Sequence, residues 1–240
     1  YAYDGFNRLA TITNAGGTTT YVYGAGYDRV QKILPNGKKT TYFGELAEVD
    51  DAGAWTDYVF LGARRIVTVQ NGATYYNVGD HLGSASLVLD SAGAVVQKLD
   101  YLPYGSERVN VKTAAFATHF TYTDQEHDAE SGLMYYGARY YHPVIGRFTQ
   151  TDPVIVNTNR RGFAKALFNP QALNPYSYVA NNPIKYTDQT GEDLGLSIAL
   201  SGLAAYILSN FPAWYTAMVM TVNTPALSST PDGSVELTPV

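Results

Sequence analysis

The 240-residue chain has no cysteine, which excludes disulfides and thiolate metal sites. Charge is sparse: Asp, Glu, Lys and Arg make up 15% of residues, and 21 acidic against 16 basic side chains give a formal net charge of -5. A nucleic-acid-binding surface is normally basic, so no nucleic-acid partner is expected. Only four histidines occur, and His81, His119, His127 and His142 lack metal-site spacing with nearby carboxylates. No metal and no cofactor are therefore expected. His119 and His127, around Asp124 and Glu126, read as surface-loop residues. A phosphate-binding glycine loop and a dinucleotide fingerprint are both missing. The sequence begins at Tyr1 without an initiator Met, a basic n-region or an apolar leader, so it reads as a fragment of a longer protein.

What is abundant is tyrosine, at 21 residues, with 22 Gly and 11 Pro. Tyrosine and β-branched residues favour strands, and glycine supplies the turns. Turn glycines recur at Gly17, Gly37, Gly53, Gly72 and Gly93, separated by 20, 16, 19 and 21 residues. Asn36-Gly37, Asn71-Gly72, Asp50-Asp51-Ala52-Gly53 and Asp90-Ser91-Ala92-Gly93 sit between alternating apolar runs, a hairpin signature. Residues 1–110 thus read as successive antiparallel hairpins. Such units cannot each bury a face alone and stack into a continuous sheet or solenoid. An ordinary β-sandwich is the plainer alternative.

From Phe116 the period breaks, and Tyr, Gly, Asn and Pro punctuate the chain to Gly191. This second region, 111–191, is expected to hold short strands and turns, with a helical turn near Tyr176 and a short helix around 163–168. A third region, 192–240, is apolar: no charged residue occurs from Leu194 until Asp232. This variable segment reads as the start of an effector, as a membrane-like helix through 194–222 interrupted by Pro212, or as an apolar helical tail packed inside the fold.

Three stretches carry a family resemblance. Asp80-His81-Leu82-Gly83-Ser84 leads to Asp100-Tyr101-Leu102-Pro103-Tyr104-Gly105. Ser131-Gly132-Leu133 runs through Tyr135-Tyr136-Gly137-Ala138-Arg139-Tyr140-Tyr141 to Gly146-Arg147-Phe148 and Asp152-Pro153. Asn174-Pro175-Tyr176-Ser177-Tyr178 is followed by Asn181-Asn182-Pro183 and Asp188-Gln189-Thr190-Gly191. In order and spacing these resemble the Rhs repeat-associated core of YD-repeat proteins: Rhs polymorphic toxins, the C component of insecticidal Tc toxins, and teneurins. The match spans about residues 1–191. The resemblance implies a mostly β protein whose stacked hairpins form part of a hollow shell, closed by the core segment. Its partners would be the upstream YD repeats and its own C-terminal effector or cargo. Its setting would be secreted or on the surface of a bacterium. An adhesion module that binds protein or carbohydrate is the alternative.

The resemblance also implies an aspartyl autoprotease that cuts after the core. Paired carboxylates share one proton, so that one acts as base and the other as acid. Asp152 and Asp188 are the expected pair, Arg147 is the expected cation beside them, and Glu192–Asp193 is the expected cleavage point. The alternative is that both aspartates only cap turns. Two departures weigh against cutting: Gln189 stands where the family has Pro, and Glu192 where it has an apolar residue. Tyr135, Tyr136, Arg139, Tyr140, Tyr141, Phe148, Tyr176 and Tyr178 are the expected structural core of the closing segment.

Overall fold

A computed structural model describes residues 1–153 and 174–192, together with the strand backbone at Ser197–Ile198, Leu227–Ser229 and Val235–Leu237. Twelve strands follow one another: β1 (Ala2–Tyr3), β2 (Leu9–Asn14), β3 (Gly17–Tyr23), β4 (Arg29–Ile33), β5 (Lys39–Phe43), β6 (Ala47–Asp50), β7 (Trp55–Leu61), β8 (Arg64–Gln70), β9 (Ala73–Gly79), β10 (Ala85–Leu89), β11 (Val95–Tyr101) and β12 (Glu107–Lys112). They form one antiparallel sheet in strict chain order, open at β1 and β12.

Four of the hairpins share one turn device. The Oδ1 atoms of Asp4, Asp50, Asp80 and Asp90 each accept the backbone N–H groups of the residues two and four positions on, at 2.8–3.0 Å. An aspartate therefore does in each turn what a backbone carbonyl would do, which is why Asp recurs there. The third residue after Asp50, Asp80 and Asp90 is a glycine with φ between +78° and +88°, a region that side chains disfavour.

Alternation along the strands leaves one face of the sheet covered. On β7, Thr56 and Tyr58 are buried, while Trp55, Val59 and Leu61 face outward. The covering layer is a second antiparallel sheet of β13 (Glu126–Asp128), β14 (Leu133–Tyr135), β15 (Tyr140–His142) and β16 (Arg147–Phe148). Leu9, Ile12 and Tyr21 of the large sheet pack with Leu133 and Tyr140 of the small one. Leu82, Tyr122, Met134, Tyr136, Tyr141, Phe148, Tyr178 and Val179 form the largest buried cluster. Its rings meet edge-on or tilted: Tyr136 and Phe148 at 89°, Tyr136 and Tyr178 at 74°, with centroids 5.6 and 5.7 Å apart. Edge-to-face contacts add to simple burial.

The chain divides into two compact units, Tyr1–Ala199 and Leu200–Val240. In the first, β17 (Tyr186–Thr187) pairs with β18 (Ser197–Ile198), so the apolar run opens as a strand. In the second, β19 (Leu227–Ser229) pairs with β20 (Val235–Leu237). The helix expected around 163–168, and the rest of the expected helix or membrane segment in 194–222, lie outside the described residues. Among the described residues no helix is long and apolar enough to cross a membrane. The turn expected near Tyr176 is a short 3₁₀ turn at Val179–Asn181, with φ above +40° at all three residues.

Candidate functional site

The turn between β14 and β15 has the sequence Tyr136-Gly137-Ala138-Arg139. Tyr136 N–H donates to the Arg139 carbonyl at 2.9 Å, and Gly137 takes φ +76°. The turn delivers Arg139 into the interior, where only 1% of it is exposed and its guanidinium lies 3.7 Å from the centre of the Phe148 ring. There it gathers two carboxylates and two carbonyls. Nη2 is 3.0 Å from Asp152 Oδ2 and 3.3 Å from Asp188 Oδ2. Nη1 donates to the Pro175 carbonyl at 3.2 Å, and Nε donates to the Gly191 carbonyl. Burial pulls the arginine below its usual basicity, against the opposing pull of Asp188 and Asp152.

The chain entering this site is held at successive carbonyls. Gln125 Nε2 donates to the Gln189 carbonyl at 3.2 Å, Ala138 N–H to that of Thr190 at 3.0 Å, and Arg139 Nε to that of Gly191. Asp188 Oδ1 accepts the N–H groups of Gly191 at 2.8 Å and Thr190 at 3.2 Å, so Asp188 caps its own turn while facing Arg139. Gly191, at φ +69°, is obligatory: a Cβ there would meet the Tyr136 carbonyl oxygen at 2.6 Å and the Arg139 nitrogen at 3.0 Å.

Asp152 and Asp188, separated by 36 residues in sequence, are thus brought together through a shared guanidinium. The cation is Arg139, not the expected Arg147. Arg147 sits on β16 with its guanidinium turned to Asn181 Oδ1, at 2.6 Å. Glu192 is half-buried, with its N–H on Thr190 Oγ1 at 3.3 Å, and Asp193 lies outside the described residues. Of the expected core residues, Tyr136, Arg139, Tyr140, Tyr141, Phe148 and Tyr178 are buried and Tyr135 is half-buried. Tyr176 departs from expectation: its ring is 42% exposed. The turn at 174–177 keeps the ring at the surface, and the residue contributes its carbonyl, which accepts Phe148 N–H at 3.0 Å.

A second buried charge cluster joins the two sheets and was not expected from the sequence. Arg29 of β4 pairs with Glu126 and, at 2.7 Å, with Asp128, both on β13. Lys32 reaches Asp128 at 2.6 Å. Tyr42 and Tyr140 hydroxyls each accept from Arg29 at 3.0 Å, and the guanidinium lies 4.5 Å from the Tyr135 ring centre. Burial alone would raise the Glu126 carboxyl, but Arg29 and Lys32 hold it well below the usual carboxylate range. His119, expected at the surface, is half-buried against Glu48 at 3.3 Å and Tyr58 at 3.2 Å. Burial opposes its protonation, but Glu48 prevails and raises its basicity.

The Asp80–Ser84 motif acts as a dock. Ser84 Oγ accepts Thr123 N–H at 3.1 Å, and Ala85 N–H donates to the Thr121 carbonyl at 3.0 Å. The meander of Asp-capped hairpins, a docked aromatic layer on its covered face and an arginine that gathers the chain's exit define a segment of a YD-repeat shell. The chain belongs to the teneurin YD-shell family, whose pattern matches residues 61–184. It is 38% identical over 136 residues to salivary gland surface protein 1 of Aedes aegypti, covering 55% of this chain and 4% of that protein. It is 32% identical over 126 residues to toxin subunit YenC1 of Yersinia entomophaga, covering 51% of this chain and 12% of the relative. Among solved structures it is similar to the TcdB2-TccC3-TEV crystal structure, with a TM-score of 0.62 and 26% identity over 79% of this chain and 10% of that one. The chain therefore spans about a tenth or less of the length of these relatives.

Proposed function

We propose that this chain is the closing module of a protein shell that encloses a C-terminal cargo, and that it severs its own backbone just after the core. The observation that carries the reading is the Arg139 cluster. It unites Asp152, Asp188 and the Gly191 carbonyl at the C-terminal end of the core segment. In the proposed reaction, Arg139 draws electron density from the Gly191 carbonyl. One aspartate takes a proton from an attacking water, and the other gives a proton to the departing amine of Glu192 as the C–N bond breaks. Arg139, Asp152 and Asp188 are the catalytic residues of this scheme, and Arg147 is not needed. The bond affected is Gly191–Glu192, one residue before the Glu192–Asp193 bond expected from the sequence. Similarity to a toxin subunit supports the toxin setting, and with it a secreted or surface location for the whole protein. The cargo would be the protein's own C-terminal segment, with the upstream repeats completing the shell.

The test is intact mass of the purified chain over several days between pH 4 and 8, for the native sequence and for Asp152→Asn, Asp188→Asn and Arg139→Lys. Cutting within 191–193 in the native chain and in none of the variants is the expected result. A native chain that stays whole across this range removes the proteolytic step and leaves the shell role alone.

A further inference from the structure

Beside the Asp80–Ser84 dock lies a partly open cavity of about 20 Å³. Its lining includes Arg65 of β8, Asn77 of β9, Gly79, Gly83, Thr118 and Asp124. The arginine side chain is 4% exposed, and its plane is enclosed by rings: Phe120 at 3.4 Å, Tyr58 at 4.2 Å and Phe60 at 4.7 Å from the guanidinium carbon. Its Nε donates to Asp124 Oδ1 at 3.2 Å, but the buried Nη1 has no protein partner. Across the cavity, Asn77 gives its Nδ2 to Thr68 Oγ1 at 3.0 Å, and its buried Oδ1 has no protein partner either. One orphan is a donor and the other an acceptor, and both residues line the cavity. Buried polar groups are normally met by a protein partner or by an ordered water.

We propose that this cavity is a binding site for a single structural water, which accepts from Arg65 Nη1 and donates to Asn77 Oδ1. The volume fits one molecule, since a cavity needs at least about 10–15 Å³ to hold a water. The chemistry selects water over the alternatives. A metal cation would sit against the guanidinium, and a halide would face the Asn77 oxygen and the Asp124 carboxyl. Organic ligands exceed the space. Asp124 offers further acceptor oxygen for the second hydrogen, and burial pushes its carboxyl up to about 6, in keeping with a site that favours neutral partners. Gly79 and Gly83 supply walls without side chains, so the dock motif shapes the site as well as seating the core. The water would then key β8 and β9 of the shell to the 118–124 segment of the core.

The test is a crystal structure of the full chain at high resolution, with chloride replaced by bromide in a parallel crystal. A solvent peak within about 3.2 Å of both Arg65 Nη1 and Asn77 Oδ1, without anomalous signal, is expected. Asn77→Asp keeps an acceptor and should keep the peak. Asn77→Leu should lose it while retaining the Arg65–Asp124 pair. In solution, a cross-relaxation signal between water and the Arg65 side-chain protons should be present in the native chain and lost in Asn77→Leu. A bromide signal at the site, no peak in the native crystal, or a peak that survives in Asn77→Leu overturns the assignment.

Discussion

Arg29→Met removes the only guanidinium between two buried carboxylates while keeping most of the side chain's bulk. In the native protein Arg29 is 4% exposed, and Glu126 and Asp128 are 5% and 0% exposed. After substitution Lys32, 3.4 Å from Glu126 and 2.6 Å from Asp128, is left as the main counter-charge to both. Breaking a buried pair by removing one partner costs about 3–5 kcal/mol, because the remaining charge stays desolvated. At a urea dependence of about 3 kcal/mol per M, suitable for this size, the midpoint should fall by about 1–1.7 M. The pH dependence is specific. The Glu126 carboxyl is depressed in the folded state, so its contribution is present above the ordinary glutamate range and is lost as pH falls through the lower folded value. Without Arg29 the depression relaxes, so the gap between native and variant should narrow on acidification. The assay is urea unfolding followed by tyrosine fluorescence at several pH values. A midpoint shift below about 0.3 M at pH 7, or a gap that does not change with pH, would refute the reasoning.

Asp124 behaves in the opposite sense. Its folded value of about 6 lies above the unfolded 3.8, so the stability it contributes is full below pH 3.8 and is lost as pH rises towards 6. The loss is on the order of 2–3 kcal/mol, and carbon-detected NMR titration of its carboxyl should give a midpoint near 6; a midpoint near 4 rejects the burial reading. Tyr140→Ala and Phe148→Ala should each cost roughly 3–5 kcal/mol, since both rings are at most 2% exposed; unchanged melting temperatures would reject the packing role. Gly191→Ala should displace the 188–191 turn and lower the melting temperature, whereas Gly37→Ala meets no neighbour within 4 Å and should be milder, limited to the strain of φ +82°. Equal effects of the two would contradict the steric argument.

The hairpins were legible because their turns are local. Asp and Gly at fixed offsets specify a bend without reference to the rest of the chain, as at Asp50–Gly53 and Asp90–Gly93. The aromatic anchors other than Tyr176 were legible through their motifs. The choice between Arg139 and Arg147 was not, because it depends on which way a turn projects a side chain. Gly137 swings Arg139 inward, while β16 turns Arg147 to Asn181. Arg29 was missed for a related reason: its partners lie 97 and 99 residues away in sequence. A signal was nonetheless available. Glu126 and Asp128 are two apart on a strand and so share a face, and two carboxylates on one covered face require a cation.

The two sheets are keyed by polar contacts as much as by apolar ones. Arg29–Asp128 joins β4 to β13, Arg65–Asp124 joins β8 to the 122–124 turn, and Arg139–Asp188 lies within the core segment; each pair is largely buried on at least one side. Replacing a buried ion pair by apolar residues is often neutral or stabilising, so stability alone does not account for three of them. Register does. A guanidinium meets its carboxylate only within hydrogen-bond reach and in a fixed orientation, so each pair allows one relative placement of the segments it joins. The Arg139 cluster has the strictest requirement, because its geometry also fixes the Gly191 carbonyl. One guanidinium therefore ties together the turn at 136–139, Asp152 and the turn at 188–191, so a shift of any one of them breaks the cluster.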